Sequence, residues 1–111
     1  MEARALLPPV NPYGVKRANV ECAGQRMGLP VGVEVRVGRD PTRVGLLIED
    51  PRVSGLHATL RFDGHDAFVR DESSSLGTDV DGLRLAAGIW QHVPAHGMVH
   101  FGPVALRVTV E

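Results

Sequence analysis

Apolar and polar residues alternate along most of this chain, with a period of two. Ala18, Val20 and Cys22 alternate with Asn19 and Glu21, and Val31, Val33, Val35 and Val37 alternate with Gly32, Glu34 and Arg36. Further on, Ala58, Leu60 and Phe62 alternate with Thr59, Arg61 and Asp63. Near the end, Val104, Leu106, Val108 and Val110 alternate with Ala105, Arg107 and Thr109. Successive side chains of a strand point to opposite faces, so each run predicts a half-buried β-strand with its apolar set turned inward. Leu46, Leu47 and Ile48 form a short apolar run, and another, residues 68–70, follows the turn Asp63-Gly64-His65-Asp66. No run of useful length has a period of 3.6. Prolines and glycines recur, and the strands are spaced about 8–12 residues apart, as in sandwiches. The pattern predicts an all-β fold, an antiparallel β-sandwich of two sheets, over residues 15–111. Residues 1–14 carry three prolines and no period, and read as a leader or linker.

Composition narrows the function. The chain has 111 residues, room for one core, and its apolar fraction of 43% argues against disorder. A formal net charge of −1 supplies no basic face, which argues against nucleic acid as a partner. Cys22 is the one cysteine, so an internal disulfide is impossible and a reducing cytoplasm is the simpler setting. Leu6 and Leu7 run at once into Pro8 and Pro9, too short for a signal h-region, and no apolar run approaches a membrane span, so no membrane role is expected of this domain. Nothing in the composition calls for a cofactor or a metal.

The candidate chemistry lies in the loops. Gly38 ends a strand-like run, and Asp40-Pro41 makes the following turn, so Arg39 leaves the sheet at its rim. Taken alone, such an arginine pairs with Asp40 or Asp50; otherwise its fork is free for an anion. Ser54 precedes the strand that begins near His57, and its hydroxyl can donate to an anion or cap the loop backbone. His57 reads as a histidine held by loop backbone. Ser73, Ser74 and Ser75 open a turn-rich stretch through Gly77 and Thr78 to Asp81-Gly82, offering hydroxyls and backbone N–H groups. If the strands pack as their alternation suggests, Arg39, Ser54 and Ser75 gather at one end of the sandwich and suit a phosphate dianion.

Gly-Arg, then Ser-x-x-His, then Ser-x-x-Thr and Asp-Gly, in that order on a chain of strands, resembles the forkhead-associated (FHA) domain family over about residues 20–110. The stretch from His96 to Gly102 looks like that family's penultimate strand and turn. The resemblance implies a two-sheet sandwich that binds phosphothreonine peptides with the loops at one end, without catalysis. It implies that Arg39 bonds phosphate oxygens, Ser54 donates to phosphate and Ser75 contacts the phosphothreonine region. Gly38, His57 and Gly77 would support the loops. Arg52 would read an acidic side chain on the peptide. A phosphothreonine carries nearly two negative charges and three acceptor oxygens, and charge-assisted bonds to it are worth about 1.5–3 kcal/mol each. The expected partner is thus a phosphothreonine protein made by a Ser/Thr kinase. Two positions depart from the family: Leu76 stands where an asparagine usually grips the peptide backbone, and Gly55 where a basic or polar side chain commonly follows the serine. The alternative is accordingly a degenerate member that assembles with partners independently of phosphate.

Three other readings carry less. Ser54, His57 and Asp71 do not form an elbow of the Gly-x-Ser-x-Gly type. Pro94 and Gly97 break any helix that would align His92, His96 and His100 for a metal. Trp90 belongs either to the core or to an exposed surface.

Overall fold

The computed structural model describes residues 16–111, so the leader predicted over residues 1–14 lies outside the described residues. The chain runs through β1 (Ala18–Cys22), β2 (Gln25–Gly28), β3 (Glu34–Gly38), β4 (Leu46–Leu47), β5 (Ala58–Phe62) and β6 (Ala67–Asp71). It continues through β7 (Thr78–Val80), β8 (Leu83–Arg84), β9 (Gln91–Val93), β10 (Met98–Phe101) and β11 (Val104–Val110). One sheet has the order β2-β1-β11-β10-β7-β8 and the other β4-β3-β5-β6-β9. The all-β sandwich expected from the alternation is what forms.

The inward sets are those the period of two selects. Val20 and Cys22 of β1, Leu60 and Phe62 of β5, and Leu106 and Val108 of β11 are buried, as are Val99 and Phe101 of β10. Each large apolar side chain so buried stabilises the fold by about 1.5–3 kcal/mol. The register Val37↔Ala58↔Asp71 brings the end of β3, the start of β5 and the end of β6 to one edge of their sheet. Thr78↔Phe101 does the same for β7 and β10 in the facing sheet.

Two expectations are corrected. Val31 and Val33 do not point inward but are 54% and 48% exposed. Gly32, at φ 77°, turns the chain there, Val31 makes only an isolated bridge to Phe62, and β3 begins at Glu34. Nor is the sandwich wholly antiparallel: β4 pairs with β3 in parallel, because the chain crosses the sandwich end between them instead of forming a hairpin. Trp90 lies outside the core, half-buried, with the Arg70 guanidinium 4.4 Å from its ring centre.

Candidate functional site

Three loops meet at the end where those strands stop: residues 39–45 after β3, residues 48–57 before β5, and residues 72–77 after β6. The first two are joined backbone to backbone. Arg39 N–H donates to Ser54 O at 3.0 Å and Asp40 N–H to Gly55 O at 3.1 Å. The approach is so close that a Cβ on Gly38 would sit 2.1 Å from Gly55 O. Only glycine fits at that position.

His57 joins the second loop to the third. Its ring is fully buried, edge-on to Phe101 at 5.5 Å between centroids. Nδ1 accepts the Ser54 N–H at 3.1 Å, which makes Nε2 the protonated nitrogen, and Nε2–H donates to Gly77 O at 2.9 Å. Burial lowers its pKa below the ordinary histidine value, against smaller upward contributions from Gly77 O and Asp71. Gly77, at φ 86°, also accepts the Gly102 N–H at 2.9 Å on the same carbonyl. The third loop is tied to the buried Asp71, which accepts the hydroxyls of Ser74 and Thr78, while Gly77 N–H donates to Ser74 Oγ at 3.0 Å.

On this frame the expected residues come together. Arg39, Ser54, Ser75, Arg52 and Leu76, with Pro51 and Val53, line an open cleft of about 180 Å³. Arg39 Nε–H donates to Val53 O at 3.0 Å, which fixes the stem and leaves the two terminal nitrogens of the fork. The ion pair that a rim arginine ordinarily makes is not seen among the described residues. Asp50 is held instead by Arg52, and Asp40 Oδ1 accepts the Thr42 N–H and hydroxyl. Ser75 N–H donates to Ser54 Oγ at 2.9 Å, so the Ser54 hydroxyl has an acceptor position filled and keeps its proton to donate. Its contact with Ser75 Oγ, at 3.5 Å, is too long to engage that proton strongly.

Arg52 differs from its expectation. Its Nε–H and Nη2–H grip Asp50 at 3.0 and 2.8 Å, and its backbone N–H adds a third bond at 2.9 Å. These bonds hold the Asp50 pKa down at about 2. The side chain still lies at the cleft and is 62% exposed, with its fork engaged. Gly55 itself is not among the lining residues; its backbone forms the wall behind Ser54.

The same bonds dispose of the triad. Both nitrogens of His57 are committed to backbone, and Asp71 to hydroxyls, so neither is placed to take a proton from Ser54 Oγ.

The FHA domain family model matches residues 35–97, more than half of the chain and the part that contains every one of these loops. The chain belongs to the FHA domain family. No curated protein matches the chain as a whole. Among solved structures, this FHA domain superposes on that of the CT664 protein of Chlamydia trachomatis with a TM-score of 0.78 and 20% identity, covering 84% of this chain and 96% of that one. The Rv1747 FHA-1 domain of Mycobacterium tuberculosis gives 0.73 and 26%, covering 86% and 97%. The N-terminal FHA domain of Saccharomyces cerevisiae Rad53p, solved with a phosphothreonine peptide, gives 0.72 and 14%, covering 86% and 94%. FHA domains are phosphopeptide-binding modules rather than enzymes as a family.

Proposed function

We propose that this FHA domain is a non-catalytic recognition module that binds a phosphothreonine segment of a partner protein, downstream of a Ser/Thr kinase and in the cytoplasm. The observation that carries the reading is the Arg39–Ser54–Ser75 cleft. A guanidinium fixed at its Nε presents two terminal nitrogens beside a hydroxyl that retains its proton, and this combination matches a dianion with several acceptor oxygens. The likeness to Rad53p, bound to such a peptide, supports the same use. Arg39 would bond the phosphate, Ser54 would donate to it, and Ser75 would contact the threonine region.

A second reading is favoured by Leu76, an apolar side chain 50% exposed in the cleft wall, and by Arg52, whose fork is occupied by Asp50. In it the domain assembles with a partner independently of phosphate. An array of phosphothreonine peptides beside their unmodified forms separates the two. Phosphate-dependent binding that Arg39→Ala reduces by about tenfold or more is expected. Equal binding of both forms would establish the second reading instead.

A further inference from the structure

We propose that Arg43 is a second guanidinium of the anion site, reaching it across the bare backbone of Gly55. The inference rests on the phosphothreonine reading and adds a binding residue to it. A dianion beside a single partly engaged arginine leaves charge uncompensated, and Arg52 is turned to Asp50. Arg43 stands on the opposite flank. Its backbone N–H donates to Asp40 O at 3.0 Å, closing the turn that brings the loop after β3 back towards the loop before β5. Its stem lines a shallow depression shared with Arg36 and Thr42.

The position of the guanidinium is decided by Gly55. A Cβ built there would lie 3.7 Å from Arg43 Nη1 and 3.6 Å from Asp40 Cβ. The arginine therefore occupies the space that a side chain at 55 would claim, one residue from the Ser54 hydroxyl that lines the cleft. Among the described residues its guanidinium makes no ion pair; Asp40, the carboxylate on this flank, is engaged by Thr42 at 2.7 and 3.0 Å. Arg43 and Arg39 both act on Asp40 electrostatically, and the pair offsets a carboxylate that would otherwise repel a phosphate. Glycine at 55 thus opens the way for a cation from a different loop.

The test titrates capped O-phosphothreonine into 15N-labelled protein while the arginine Nε–Hε signals are followed. The Arg43 signal is expected to move on the same saturation curve as that of Arg39. Arg43→Gln should weaken binding by about tenfold with an unchanged melting temperature, as befits an exposed charge-assisted bond. Adding Gly55→Lys to Arg43→Gln should restore much of the loss by placing an ammonium in the same space. If Arg43→Gln binds like the wild type while Arg39→Gln does not bind, the inference is overturned and the phosphothreonine reading stands. If Arg39→Gln is neutral as well, both are overturned.

Discussion

Leu76 faces the cleft beside Ser75, and its Cβ and Cδ1 would touch a side chain on Gly102 at 3.2 and 3.3 Å, so it packs over the turn between β10 and β11. An extended peptide crossing the cleft presents backbone N–H and C=O groups that leucine leaves without partners. Asparagine keeps the Cβ contact and adds both a donor and an acceptor. With two new hydrogen bonds at about 0.5–1.5 kcal/mol each, Leu76→Asn is expected to tighten phosphopeptide binding by about fivefold to a hundredfold. Fluorescence anisotropy with a labelled phosphopeptide reads this directly. An unchanged affinity would show that the peptide does not pass over position 76. Since the leucine is half exposed, little core is lost by the exchange.

At the scale of elements, His57 is the joint between the loop before β5 and the loop after β6, and the joint works only with a neutral ring. Protonating Nδ1 would turn an N–H towards the Ser54 N–H that it now accepts. Burial lowers the folded pKa below the unfolded value of about 6.5. The sign follows: the unfolded chain takes up the proton first, so the stability this histidine contributes is complete above that pH. It falls away as the pH drops from there through the folded pKa. Urea midpoints measured from pH 7.5 to pH 5 should fall in the wild type and fall less in His57→Gln, which starts lower; parallel curves would refute the assignment. The strands around this joint differ in how far the sequence discloses them. β1, β5 and β11 alternate cleanly because one face is core and the other water. β2, at a sheet edge with three of its four residues exposed, has no apolar set to alternate, and β8 is two exposed residues. The Val31–Val33 alternation misled because Gly32 turns the chain, and a turn is invisible to periodicity. In the site, Arg39, Ser54 and Ser75 were legible as donors in turns. The partners that set their state were not: Asp50 taking Arg52, Val53 O taking Arg39, and Arg43 twelve positions from Gly55 all depend on which loops meet.

For the molecule as a whole, the cleft is assembled from loops of both sheets, so it exists only when the sandwich is closed. A ligand that needs Arg39, Ser54 and Ser75 together binds the native state and not the unfolded chain, and must stabilise the fold by mass action. With free phosphopeptide at about 100 times its Kd the gain is about 2.7 kcal/mol. For a domain of about 100 residues that corresponds to a rise in Tm on the order of 10 °C. Calorimetry is expected to show this rise with a phosphothreonine peptide, none with the unmodified peptide, and none with Arg39→Ala. The net charge of −1 means that no general attraction for anions contributes, so a shift would belong to the cleft itself. Equal shifts from both peptide forms would instead place the partner on a surface indifferent to phosphate. That outcome would leave the packing of the loops intact and remove the dianion from their purpose.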